Sequence, residues 1–184
     1  MFRILSLMVV LVVATTTEAF AWGQEDHSIV AEIAQRRLEP ATVTAIAKLL
    51  GPNVSLASVS EWADDVKFTI HKDTYNWHFV DVPLSRDDYD EAKDCQLVPG
   101  KGDCAILAIV RLEKGITCAP TAAERADDLK YLVHIVADVQ QPMHTVADNL
   151  GENNLKVTIS GMKGEVGDTN ADGVQSFTLS GTRR

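Results

Sequence analysis

A chain of 184 residues, 46% of them hydrophobic, is long enough to close one globular core. Its net charge of −9 argues against a broad cationic face for gripping phosphate backbones. It does not exclude a nucleic-acid site whose positive charge comes from bound metal ions.

Residues 1–21 read as an export signal. Arg3 supplies the positive start, Ile4 to Ala14 is an apolar run, and Ala19-Phe20-Ala21 is an A-x-A cleavage signal. The run is short for a membrane span, so stable membrane insertion is not expected. Cleavage there makes Trp22 the amino terminus of a secreted or periplasmic chain.

The first predicted helix follows, capped by Asp26 or Ser28, with Ile29, Val30, Ile33 and Ala34 on one side. A second covers Ala41 to Leu50 and stops at Gly51-Pro52. A third includes Val59 to Phe68, with Ser58 or Ser60 near its cap, and holds Trp62-Ala63-Asp64-Asp65 and Lys67. The aromatic, β-branched stretch Thr74 to Asp81 is expected to be extended or irregular. From Ser85 to Gly102 the chain reads as a polar loop. A helix near Cys104 to Glu113 is expected to end at Gly115. The next starts after Pro120, carries Leu129, Leu132, Val133, Val136 and Val139 at helical spacing, and is disturbed or ended by Pro142. Asn149 to Asn154 looks like a turn and Leu155 to Ser160 alternates as a short strand. Gly161 to Arg184 is rich in Gly, Asp, Ser and Thr and has no helical period. The three cysteines suit an oxidising compartment. Cys95 and Cys104 bracket a Pro/Gly-containing loop and are placed to pair, which leaves Cys118 over.

Chemistry concentrates in a few short stretches. His134 and Asp138 are four residues apart and leave the same helix face, and His144 follows Pro142 by two. His27 lies near the α-amine that cleavage frees, Asp64 sits in its Trp-Ala-Asp-Asp run, and His78 is set among large apolar residues. His71, beside Lys72 and Asp73, is read as exposed and without a role. Taken singly, each has an ordinary reading: a buried His–Asp pair, a core histidine, a solvated acidic face. Together they offer nitrogen and carboxylate donors without thiolate, a set suited to catalytic zinc. Two such ions about 3.5–4 Å apart activate water and hold a phosphate through displacement.

The motifs WGxxxH at Trp22, WAD at Trp62, WHFVD at Trp77 and VHxxxDxxQPxH at Val133 resemble the S1/P1 nucleases, secreted trinuclear zinc enzymes that cut single-stranded DNA and RNA. The resemblance runs from Trp22 to about Val157. It implies a mainly α, single-domain fold of the phospholipase C/P1 nuclease type over residues 22–160, with 161–184 as a divergent irregular or β tail. It also implies a monomer that acts on single-stranded nucleic acid or 3′-nucleotides. Asp64, His78, His134 and Asp138 would bind one zinc of a close pair. The amine and carbonyl of Trp22, with His27 and the bridging Asp138, would bind the second, and His144 would belong to a third, separate ion. Asp64 would be the base, Lys67 would stabilise phosphate charge, Asp81 would lie near the substrate, and Asn153 would contribute to nucleobase binding.

The sequence departs from the family pattern late in the chain. Where the family has NLHxxWD, the nearest counterpart is Asn170 to Ser176, so Asp172 stands in for a histidine ligand and Ser176 for an aspartate. Two zinc ions are therefore better supported than three, and a C-terminally shortened or divergent member is expected. A non-catalytic zinc-binding remnant is the alternative. A zinc phospholipase C is a further one, disfavoured by Asp81 and Asn153. Asp168 to Gly173 also matches the start of a calcium loop, without the glutamate at its twelfth position.

Overall fold

A computed structural model describes residues 23–148, 155–159, 162–166 and 178–179. Helix α1 spans Gln24–Gln35, starting one turn earlier than the sequence suggests. Gly23 is its cap, and Asp26 reaches back to accept the Gly23 N–H at 3.1 Å, so Asp26 works from inside the first turn. The inward face is also different. His27 and Ala31 are buried, whereas Ile29 and Ile33 are 57% and 48% exposed. Helix α2, Pro40–Leu50, uses Pro40 at its first turn, where a missing N–H costs nothing, and ends at Gly51 with φ 110°.

The helix expected over 59–68 is broken in two. Helix α3, Leu56–Val59, is capped by Ser55, which accepts the Ser58 N–H at 3.0 Å; helix α4, Trp62–Lys67, follows. The break at Ser60-Glu61 turns the Ser60 carbonyl away from a helical ladder and toward His134. Lys72–His78 forms a 3-10 segment, and the chain then runs extended. Val80 N–H donates to His144 O at 2.8 Å and Ala147 N–H to Val82 O at 3.1 Å, with Val82 and Val146 in a parallel bridge. These bonds lay the WHFVD stretch alongside the one that carries His144.

The polar loop contains a short helix, α5 (Glu91–Asp94), and a Cys95–Cys104 disulfide; Cys118 is free and exposed. Helix α6 spans Ala105–Cys118 and passes straight through Gly115, which does not end it. Packing explains the glycine: a Cβ there would stand 2.1 Å from Asp128 Oδ2 on the next helix. Helix α7, Ala122–Asp138, opens on a reciprocal cap in which Glu124 N–H donates to Thr121 Oγ1 at 3.1 Å and Thr121 N–H to Glu124 Oε2 at 2.9 Å. It ends before Pro142, and Pro142–His144 forms a second 3-10 turn.

The core joins α4, α6 and α7 through Ala63, Val66, Ala105, Ala108, Leu112, Tyr131 and Ile135, with Trp62 and Trp77 packed against it. Its role for the site is to hold α7 through Tyr131 and Ile135, which flank His134 on the helix. Strands β1 (Leu155–Ile159), β2 (Met162–Val166) and β3 (Thr178–Leu179) form an antiparallel sheet in that order, with Leu155 opposite Val166 and Ile159 opposite Met162. The fold is mainly α with a β tail, as expected. No helix among the described residues is long and apolar enough to cross a membrane.

Candidate metal centre

Five elements deliver side chains to one buried point. His27 comes from the first turn of α1, Asp64 and Lys67 from α4, and His78 from the end of the first 3-10 segment. His134 and Asp138 come from the last turns of α7, and His144 from the second 3-10 turn. His27, His78, His134 and Asp138 are each at most 2% exposed. Of the adjacent carboxylates on α4, Asp64 turns inward and Asp65 is exposed.

Asp138 is the hub. Its Oδ2 lies 3.0 Å from His78 Nδ1 and 3.2 Å from His134 Nε2, while its Oδ1 lies 3.4 Å from His27 Nε2 and 3.5 Å from His144 Nδ1. Asp64 Oδ1 stands 3.2 Å from His134 Nε2 and 3.3 Å from His78 Nδ1. The His27 and His134 rings are stacked with centroids 3.9 Å apart. Two backbone carbonyls orient the imidazoles: His134 Nδ1–H donates to Ser60 O at 2.5 Å, and His144 Nδ1–H to His78 O at 2.7 Å. Each bond fixes a tautomer, as an orienting partner does for a ligating histidine. His134 thereby presents Nε2 to the carboxylates.

These atoms are close, yet few are bonded to one another. His27 Nδ1, Glu61 Oε2, His78 Nε2, His134 Nε2 and Asp138 Oδ1 are buried without a hydrogen-bond partner. Asp64 Oδ1 also lacks an aligned hydrogen bond, although Lys67 Nζ forms an ion pair with it at 2.6 Å. A buried polar atom without a partner costs about 1–3 kcal/mol, so several in one place are unlike an ordinary polar core. Donor atoms that converge on shared points instead of on each other fit a cation. Among the described residues, two groups of three have ligand atoms within 4.8 Å of one another: Asp64, His78 and His134, and His27, Glu61 and His134.

A family model described as S1/P1 Nuclease matches residues 22–167. The chain belongs to the S1/P1 nuclease family. It is similar to Nuclease P1 of Penicillium citrinum, 32% identical over 147 residues that cover 76% of this chain and 53% of that protein. It is likewise similar to Nuclease S1 of Aspergillus oryzae, 32% identical over 148 residues covering 77% and 50%. Endonuclease 2 of Arabidopsis thaliana is 31% identical over 150 residues, covering 74% and 50%. The chain spans about half the length of the curated relatives it matches.

In this S1/P1 family member the charges in the centre are strongly coupled. Burial alone would raise Asp138, but His134 and His78 outweigh it and hold the carboxyl well below the usual range; Asp64 is held down in the same way by His134, His78 and Lys67. Burial works against a proton on His134 too, yet Asp138 and Asp64 push its pKa well above the ordinary value. Its imidazolium then supplies positive charge where a metal would. Burial, aided by neighbouring positive charge, lowers both His27 and His78 to about 4, leaving neutral imidazoles, the form that ligates metal.

Of the other residues singled out in the sequence, Asp81 is exposed and borders a cleft of about 170 Å³ with Asn76, Phe79 and Lys93. Trp22, Asn153 and Asp172 lie outside the described residues, as do the signal, the Asn149–Asn154 turn and the Asp168–Gly173 stretch. His144 stands at the edge of the cluster, 3.5 Å from Asp138, and belongs to neither group of three. His71 is half-buried, its ring near Trp62 and Tyr131. A groove of about 690 Å³ between α1, α2, α6 and α7 is lined by Leu38, Ile46, Leu49, Leu129 and Val133, with none of these donors in its lining. Sequence reasoning missed Glu61. The signal was present: it precedes Asp64 by three residues, the same one-turn spacing that links Asp64 to Lys67.

Proposed function

We propose that this S1/P1 family member is a zinc-dependent phosphodiesterase that cleaves single-stranded DNA and RNA internally and also acts on 3′-nucleotides. The observation that carries the reading is the division of Asp138, whose two carboxylate oxygens face different pairs of histidines. A carboxylate so placed suits a bridge between two cations. Asp64, His78, His134 and Asp138 would hold one zinc. His27 and Asp138, with the Trp22 amine and carbonyl, would hold the other, and His144, with Asp172, a third.

Bound zinc supplies the Lewis acidity that lets water attack a phosphodiester near neutral pH. The chain does the rest. Asp64 takes the proton from the attacking water: its side chain is 22% exposed against 1% for Asp138, so it is the ligand carboxylate that solvent and substrate reach. Lys67, held by Asp64 at 2.6 Å, offers a fixed positive charge to the phosphate oxygens. Asp81 lies near the substrate and Asn153 contributes to binding the base. The catalytic unit is the helical domain of residues 22–160, acting as an exported monomer, with 161–184 as its tail.

The test is cleavage of heat-denatured and duplex DNA by the purified chain beginning at Trp22, with zinc and after chelation. The expected result is cutting of the denatured DNA that chelator abolishes and zinc restores. No cutting by zinc-loaded protein refutes the reading. A second reading, a non-catalytic zinc-binding protein, is favoured by one observation: in the stretch Asn170 to Ser176, Asp172 and Ser176 stand where the family pattern has a histidine and an aspartate. Bound zinc without cleavage selects that reading.

A further inference from the structure

Glu61 is absent from the set of ligands that the family motifs supply, yet its carboxylate points into the centre. It sits at the break between α3 and α4 and is the N-cap residue of α4, but its side chain makes no capping hydrogen bond. Among the described residues that carboxylate has neither a hydrogen bond nor an ion pair, and its Oε2 is buried. A long, charged side chain beside solvent ordinarily turns outward to water. This one faces His27 and His134, with one donor atom from each of the three within 4.8 Å of the others. His27 is 1% exposed and His134 fully buried, and His27 Nδ1 and His134 Nε2 also lack hydrogen-bond partners. These are placed as metal donors, and because His134 Nε2 also faces Asp64 and Asp138, Glu61 and His27 are the two left to a second ion.

We propose that Glu61 is a zinc ligand of this centre, gripping with His27 the ion on the α1 side of Asp138; this rests on the metal-centre reading above. The chemistry is consistent. Zinc takes carboxylate oxygen and imidazole nitrogen together, and Glu61 would bring a third carboxylate to the pair. Two dications facing three carboxylates are more nearly neutralised than two facing Asp64 and Asp138 alone, so a buried pair costs less to load. Glu61 also gives the α1-side ion an anchor from within the helical body, making its retention less dependent on the amine of Trp22.

The experiment compares wild type, Glu61→Gln and Glu61→Asp, each beginning at Trp22. Zinc per chain is measured after dialysis, and affinity by competition with a chromophoric chelator. Gln keeps the shape and removes the charge. Asp keeps the charge and withdraws it by one methylene, so it separates ligation from mere proximity of charge. Ligation predicts that both variants weaken the more loosely held ion at least ~10-fold, the lower end of what loss of an outer-shell partner alone produces. Wild type loaded with two ions, with both variants within twofold of it, overturns the assignment of Glu61 and leaves the metal centre standing. Wild type that binds no zinc overturns both. If Gln fails to fold by circular dichroism, Asp decides: a tenfold loss supports ligation and unchanged affinity refutes it.

Discussion

Asp138→Asn is the sharpest perturbation of the centre, because it removes one charge and almost no volume. Four imidazoles lie within 3.0–3.5 Å of the Asp138 oxygens, two on each side. If the carboxylate bridges two ions, both lose an anionic ligand at once. Loss of about 10–100-fold in affinity at each ion multiplies to roughly 10²–10⁴ for loading the pair. The metal-free protein suffers as well. His134 is buried and its proton is held in place chiefly by Asp138, so removing that partner strands a buried charge, at about 3–5 kcal/mol, or forces the proton off. The assay is zinc per chain by mass spectrometry of dialysed protein, read beside cleavage of denatured DNA at saturating zinc. The expected outcome is at most one equivalent retained and cleavage reduced at least ~10³-fold, or ~4 kcal/mol in the barrier. Two equivalents retained with cleavage within a few-fold of wild type would falsify the bridging role.

Two further predictions concern neighbouring groups. Lys67→Met keeps most of the buried stem and deletes the charge beside Asp64, so zinc content stays at the wild-type value while kcat falls by roughly 10²-fold, as when one preorganised charge-stabilising donor is lost; unchanged kcat with unchanged zinc rules out a role in transition-state stabilisation. In the metal-free chain, between pH 6.5 and about 4, His27 and His78 bind protons in the unfolded state and resist them when folded, whereas Glu61, which burial and Asp64 raise to about 7, holds its extra proton in the folded state. Among these three groups, two against one makes stability fall on acidification just below pH 6.5, by at most roughly 1.4 kcal/mol per pH unit, until the raised carboxyls of Asp81 and Asp128 begin to offset it; urea midpoints taken in chelator between pH 6.5 and 5.5 check the sign, and a midpoint that rises as pH falls there refutes it.

Much of the site was legible along the chain because its parts are local. His134 and Asp138 share a helix face by their spacing alone, the VHxxxDxxQPxH and WHFVD strings mark the family, and the Cys95–Cys104 pair closes a short loop. Helix α7 and the stop near Pro142 follow from periodicity and from a residue that cannot extend a helix. What these signals lack is any record of how separate segments meet. Ile29 and Ile33 look like a buried face, yet α1 turns His27 and Ala31 inward, because the face a helix buries depends on what it packs against. Gly115 reads as a helix stop and is instead a close approach of α6 to Asp128.

The sequence by itself determined the donor types, their family pattern and the mainly helical class. Tertiary structure alone decided that Asp138 turns one oxygen to each pair of histidines. It also decided that Ser60 O orients His134 across the α3–α4 break, and that Glu61 faces inward while Asp65 faces water. The physical reason is that helical and strand periods order neighbours within one element, whereas this candidate metal centre is assembled from five. Its geometry is set by the packing of side chains that the sequence places as many as 117 positions apart, from His27 to His144.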